Sequence, residues 1–239
     1  MAHPGHELRV FHWLESERPL VFVLTDGSGS RGAPRLASTR RLLAEVGVPS
    51  GDVFGALCDV EAYALLTRGE VAPFLRLADQ LTAAVHRAGR AVVAGDACEG
   101  YNPMHDVCRA LVDVVSTLVG ARDPARNLSI ALTGPPTWTP GALALCVDRA
   151  GLARKVAAAR GYPELADEVS ASEARFGAEA FGYEFLAPTI PWTPPPFEGK
   201  PYYETYGEER VRLGIYASVL RYREHVRPVV EALARHAGR

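Results

Sequence analysis

Pro19-Leu20-Val21-Phe22-Val23-Leu24-Thr25, followed at once by Asp26-Gly27-Ser28-Gly29-Ser30, is the stretch on which the fold turns. A short apolar run with no polar alternation suits a strand buried on both faces, and the Asp/Gly/Ser cluster stops it in a loop. The same unit recurs downstream. Ser38 to Gly47 reads as a helix, with Ser38 as its cap, Leu42, Leu43 and Val46 as an apolar stripe, and Gly47 as its stop. Val53 to Leu57 is a second strand. Val71 to Ala88 is a helix with Phe74, Leu77, Leu81, Ala84 and Val85 on one face and Gly89 at its end. Ala91 to Ala94 is a third strand, Val107 to Val119 a largely apolar helix and Leu128 to Leu132 a further strand. Strand, loop and helix in repetition predict an α/β fold: a mostly parallel sheet with helices on both faces. Ligands of such sheets gather beyond the carboxyl ends of the strands, which puts Thr25-Asp26-Gly27-Ser28, Asp59 and Gly95-Asp96 on one edge.

Beyond Gly134 the texture changes. Ala142 to Arg160 and Pro163 to Phe176 read as two helices. Ala187 to Pro201 holds six prolines and reads as an extended loop anchored by Trp192 and Phe197. Glu208 to Ala234 reads as one long amphipathic helix, bent near Pro228. The expectation is a single domain over residues 1–239, with 187–239 a loop-plus-helix extension packed on it.

The chain has 239 residues, 48% of them hydrophobic, enough for a sizeable core. Its 26 basic and 28 acidic side chains leave a formal charge of −2, which offers neither a nucleic-acid footprint nor a polybasic membrane patch. Cys58, Cys98, Cys108 and Cys146 show no C-x-x-C spacing and read as reduced, mostly buried thiols. No run approaches the roughly 18 apolar residues of a membrane span, and the first residues lack a signal-peptide pattern, so a cytoplasmic protein is expected.

Two stretches carry candidate chemistry. In Ala2-His3-Pro4-Gly5-His6-Glu7 the histidines are three apart, and they share a face if the chain turns into a helix there. Gly95-Asp96-Ala97-Cys98-Glu99-Gly100-Tyr101-Asn102-Pro103-Met104-His105-Asp106 follows a strand and precedes a helix, which sets His105 on the same edge. His3, His6 and His105 meeting there would leave one position for water, the arrangement of a catalytic zinc. The plain alternative is two loose terminal histidines and a third at a helix start. A strand-then-loop arrangement also calls for an apolar strand before Ala2. The expectation is therefore about 8–15 further residues upstream, or a mobile His3 if the chain begins at Met1.

Ala2-His3-Pro4-Gly5-His6-Glu7 resembles the Ala-His-Pro-Asp-Asp-Glu signature of the PIG-L/LmbE-like de-N-acetylases. Val21 to Gly27 is similar to that family's second strand and Thr-Asp-Gly turn. Arg40 to Val48 resembles its helix ending in Leu-Gly-Val, and Asn102-Pro103-Met104-His105 falls where it has His-Pro-Asp-His. The resemblance covers roughly residues 1 to 120. It implies a Rossmann-like fold, a metal held by His3, His6 and His105, and a hydrolase that removes an N-acyl group from a sugar-like small molecule. His6 would replace the family's aspartate ligand, which makes the site neutral and its metal a stronger Lewis acid. Zinc is the default, with iron, nickel and cobalt as alternatives.

The departures from the family bear on mechanism. Gly5 stands in place of the general-base aspartate, and Asn102 and Met104 replace a histidine and its aspartate partner. A hydrolase needs a group to take a proton from water and another to protonate the leaving amine. The replacements expected on the same edge are Glu99 first, then Asp26, with Asp96 and Asp106 also within the set; Tyr101 is the oxyanion donor and His225 a general acid. Glu7 is expected to orient the loop. The Tyr- and Arg-rich stretches 201–207 and 221–225 suit either substrate recognition or pinning of the Pro-rich loop. The alternatives to a hydrolase are a metalloprotein of the same fold with isomerase, lyase or oxidoreductase chemistry, and a non-catalytic binding domain. A homo-oligomer is compatible with the sequence.

Overall fold

The computed structural model describes residues 1–29, 32–89, 92–120, 126–195 and 197–239. Ser30, Ala91 and Pro196, read from sequence as loop, strand and Pro-rich segment, lie outside the described residues. The chain is a mixed α/β structure with a mostly parallel sheet, as the strand–loop–helix pattern predicts. In chain order its elements are α1 (Phe11–Glu17), β1 (Val21–Thr25), α2 (Leu36–Glu45), β2 (Ser50–Leu57), α3 (Asp59–Thr67), α4 (Ala72–Ala88), β3 (Val93–Asp96), α5 (Pro103–Leu118), β4 (Asn127–Ile130), β5 (Leu143–Cys146), α6 (Arg149–Arg160), α7 (Ala166–Phe176), β6 (Tyr183–Pro188), α8 (Tyr202–Arg212) and α9 (Arg227–His236). They fall into two compact units. One comprises Met1, His3–Asp59 and Ile130–Ala187; the other comprises Ala2, Val60–Ser129 and Pro188–Arg239. Among the described residues no helix is long and apolar enough to cross a membrane.

In the first unit β1 and β2 pair in parallel, Val21 opposite Ser50, Val23 opposite Phe54 and Thr25 opposite Leu57, with register shifts between. Val21, Val23, Leu24 and Thr25 are buried, which explains the lack of polar alternation in β1. Met1 runs alongside β1. Its nitrogen donates to the Phe22 carbonyl (2.9 Å), and its carbonyl accepts from Leu24 N (3.0 Å). That pairing carries the next residues toward the carboxyl end of the strand. β5 and β6 pair antiparallel, Leu143 opposite Leu186 and Cys146 opposite Tyr183. On β6, Glu184 is fully buried; its carboxylate accepts from the amides of His12 (2.8 Å) and Trp13 (2.9 Å) at the start of α1, and from Lys155 Nζ (2.7 Å) on α6. One acidic side chain thus caps a helix and neutralises a buried ammonium.

The second unit is built round α5, buried from Pro103 to Ser116 and packed on α4, α9 and β3. Gly95 of β3 permits the close approach, because a Cβ there would fall 2.5 Å from Val112 Cγ2. β3 and β4 are hydrogen-bonded neighbours. A buried network ties the loops down: Arg109 Nε donates to Asp113 Oδ1 (3.1 Å) and Nη1 to the Leu128 carbonyl (3.1 Å), while Asp113 Oδ2 accepts from Trp192 N (2.9 Å). Trp192 adopts φ +65° and its indole donates to Thr117 Oγ1 (3.2 Å), so this residue anchors the Pro-rich segment as expected.

Several boundaries differ from the sequence reading. Residues 142–160 are a strand followed by a helix rather than one helix. Leu143–Cys146 pairs with β6, which overrides the helical propensity of Leu and Ala, and Asp148 caps α6 by accepting from Gly151 N (2.6 Å). Residues 208–234 are not one helix. α8 ends when the Arg210 carbonyl takes the amides of Ile215 (2.9 Å) and Tyr216 (3.2 Å), and helix resumes at Arg227 with Pro228 in its first turn, preceded by one π turn at Tyr222–Val226. Pro163–Leu165 forms a 3₁₀ turn before α7. α2 starts at Leu36, so Ser38 is internal and its hydroxyl donates to Glu164 instead of capping. α3, starting at Asp59, was not foreseen. Of the four thiols only Cys108 is buried; Cys58 and Cys146 are exposed, against the expectation of mostly buried cysteines.

Candidate metal centre

The first unit places His6 at the start of a short 3₁₀ turn, His6–Val10, with His3 three residues before it. The His3 and His6 rings meet edge to face, 5.3 Å between centroids. His3 is 4% exposed, and its Nδ1 lies 2.7 Å from Thr25 Oγ1 and 3.2 Å from Asp59 Oδ1. Burial alone would push Asp59 up. The His3 contact, the Thr25 hydroxyl and the Gly29 amide (2.7 Å) outweigh it and hold Asp59 well below the usual carboxylate range. An ionised Asp59 can only accept, which fixes the direction of the chain: the Thr25 hydroxyl donates to Asp59 and accepts from His3 Nδ1–H, leaving the ring's lone pair on Nε2. Asp26 is structural here, its Oδ1 accepting from Ser28 N (2.9 Å) and Asp59 N (3.2 Å).

Gly5 takes φ +104°, a conformation open to glycine, and a Cβ at that position would fall 2.5 Å from Leu165 Cδ1. Leu165 therefore fills the space into which a side chain at position 5 would project. Glu7 is fully buried and accepts from Gly5 N (2.7 Å), which matches its expected role of orienting the loop. Burial raises its carboxyl above the ordinary glutamate value, against the backbone amides, the Thr39 hydroxyl and the charge of Arg35.

In the second unit Asp96 ends β3 with its carboxylate buried, and its Oδ2 accepts from Ala2 N (2.7 Å). His105 lies in the first turn of α5, 5% exposed. Asn102 caps that helix, accepting from Met104 N (2.8 Å), and its amide donates to the Tyr63 hydroxyl (3.1 Å). Met104 is fully buried in the core. The two positions that differ from the His-Pro-Asp-His pattern thus have structural work of their own. Asp106 is pushed up to about 6, first by burial and then by the charge of Glu99; the Gly100 amide (3.2 Å), the Cys98 thiol and the Glu99 amide oppose this. Burial and Asp106 together raise the Cys98 thiol far above its ordinary value. Tyr101 is 50% exposed, stacks on Tyr202 (5.0 Å) and lies 6.4 Å from the His105 ring. His225 sits in the π turn with Nδ1 accepting from Arg221 N (2.8 Å), rather than on a long helix.

Among the described residues, His6 in the first unit and Asp96 and His105 in the second are of types that can offer a ligand atom to a metal ion. Two imidazoles and a carboxylate fit zinc, and equally iron, nickel or cobalt. The set keeps one negative charge, where three histidines would give none. Asp96 was visible in the sequence as a carboxylate closing a strand; nothing local marked it out from Glu99 or Asp106. Thr25 and Asp59 were missed as partners of His3, since their pairing depends on loops far apart in sequence. A cleft of about 410 Å³, lined by residues that include Phe11, Ser38, Arg41, Arg154 and Tyr162, contains none of these histidines. No protein-family model, no curated protein and no solved structure matches this chain.

Proposed function

We propose that this chain is a metal-dependent hydrolase that removes an N-acyl group from a sugar-like substrate, with His6, Asp96 and His105 holding the metal. The observation that carries the reading is a set of metal-ligand-type side chains, His6 in one unit and Asp96 and His105 in the other. The motif resemblance at residues 2–7, 21–27, 40–48 and 102–105 supplies the substrate class. A divalent ion held there supplies Lewis acidity and makes water more acidic. The rest falls to the chain's own side chains. His3 is assigned the proton that water gives up, since its ring is fixed through Thr25 and Asp59 and its basic nitrogen is Nε2. In the overall reaction the amide C–N bond breaks, a C–O bond forms and the leaving nitrogen takes a proton. Glu99 and Tyr101, on the loop before α5, are assigned to the substrate.

The loss of Asp at position 5, and the structural employment of Asn102 and Met104, favour a second reading: the same metal site serving non-hydrolytic chemistry. One set of measurements separates them. The purified chain is titrated with zinc and assayed on N-acetylglucosamine conjugates. Hydrolysis requires stoichiometric metal and measurable deacetylation. His105→Ala and His6→Ala are expected to lose both, whereas His3→Ala keeps the metal and loses turnover at least about a hundredfold. Metal binding without any amide cleavage supports the second reading; no metal binding ends both.

A further inference from the structure

Among the described residues β5 closes its sheet: β6 pairs with one of its sides, and the other side is an edge. Which groups face that edge follows from the ladder. Val147 N donates to the Gly182 carbonyl (2.9 Å), and this pair continues the register of Leu143 opposite Leu186 and Leu145 opposite Glu184. Hydrogen-bonded pairs alternate along an antiparallel ladder. Leu143, Leu145 and Val147 therefore turn their N–H and C=O groups to β6, and Ala144 and Cys146 turn theirs outward. The same alternation sorts the side chains. Leu145 shares a face with the buried Glu184 and Leu186. Ala144 and Cys146 share the other face with Tyr183 and Phe185, whose rings lie parallel with centroids 6.2 Å apart. Ala144 and Cys146 are exposed and Tyr183 is 51% exposed, so this second face is open as well.

An apolar edge is normally blunted by a lysine, a proline or an inward charge, because any extended chain can pair with it. The residues of β5, Leu-Ala-Leu-Cys, include none of these. From Ala131 to Val147 no residue is charged, and the loop leading into the strand carries Trp138, 59% exposed. The lack of charge bears on what covers the edge. It offers no counter-charge to an acidic or basic peptide, and it brings no like charges together when two copies meet. The strand is also self-complementary. Turned antiparallel about a two-fold axis at Leu145, Ala144 of one copy faces Cys146 of the other. Both present outward N–H and C=O groups, so the pair exchanges both bonds, and Leu145 meets its own counterpart. We propose that β5 is a homodimer interface, at which a second copy of this chain adds its β5 antiparallel to the first. The proposal uses the first unit by itself and is independent of the metal reading.

The test is the mass of the full chain in solution, by sedimentation from about 1 to about 300 μM, a range suited to interfaces of modest area. A monomer–dimer equilibrium is expected. Ala144→Pro removes an N–H that β6 does not use, which an edge strand tolerates. The dimer loses that bond twice and should dissociate at least about 10-fold more readily. Cys146→Lys supplies a charge to the edge and is expected to act in the same direction. Circular dichroism and the unfolding midpoint establish that each variant is folded. The register has its own check. Opposed residues at a non-hydrogen-bonded position stand about 4.5 Å apart at Cα, within reach of a disulfide. With Cys58 and Cys146 replaced by serine, Leu145→Cys treated with a mild oxidant should give a covalent dimer. A monomer throughout the concentration range overturns the proposal and leaves the edge to an extended peptide of another protein. A dimer that folded Ala144→Pro and Cys146→Lys leave unchanged also overturns it, since the copies then meet elsewhere. Should both substitutions prevent folding, the cross-link decides: a covalent dimer of Leu145→Cys supports the pairing, and its absence overturns it.

Discussion

At the scale of single residues, Gly5 shows why an aspartate does not fit this loop. Its φ of +104° and the Leu165 methyl 2.5 Å from a would-be Cβ leave no place for the aspartate that the resemblance implies there. Gly5→Asp is therefore expected to destabilise the fold by about 1–3 kcal/mol rather than to restore a base. Urea unfolding measures this, and Gly5→Asp combined with Leu165→Ala should recover part of the loss. An unchanged midpoint in the single variant would show that Leu165 yields freely. The terminal histidines were readable because both lie in six consecutive residues. Thr25 and Asp59 were placed on one edge, but nothing at the end of β1 or the start of α3 announces that both fold back onto the same imidazole.

At the scale of elements, α4 was legible because its apolar residues recur with a helical period, and β1 and α5 because they are apolar runs bounded by turn and cap residues. Residues 142–146 were not, since Ala and Leu favour helix locally and only the antiparallel partner β6 makes them a strand. The same strand supplies Glu184, which holds α1 and α6 through Lys155. Lys155→Met leaves a fully buried carboxylate without its counter-charge and is expected to cost about 3–5 kcal/mol. The check is thermal unfolding, and a shift no larger than that of the exposed Arg212→Met would refute it.

Across the whole molecule, the buried carboxyls give stability a pH signature. Asp106 titrates near 6 when folded and near the ordinary aspartate value when unfolded, so between about pH 4 and 6 the folded chain holds a proton that the unfolded chain has released. Stability falls as pH rises through that window, by an amount on the order of 3 kcal/mol. Asp106→Asn should flatten this slope in the metal-free protein, and parallel curves for the two proteins would contradict it. On the proposed reading, bound zinc acts in the opposite sense. Its ligands must be deprotonated, so the rise in unfolding midpoint on adding zinc should be large at pH 8 and small at pH 5. A chelator is expected to reverse the rise.

The seating of Trp192 has a practical corollary. Its indole is tied to Thr117 and its backbone to Asp113, in a conformation it would not choose alone. Once Trp13 and Trp138 are replaced by phenylalanine, emission from the remaining indole becomes an optical gauge of whether the Pro-rich segment is seated. A red shift that precedes global melting would report that segment peeling away while the sheet stays intact.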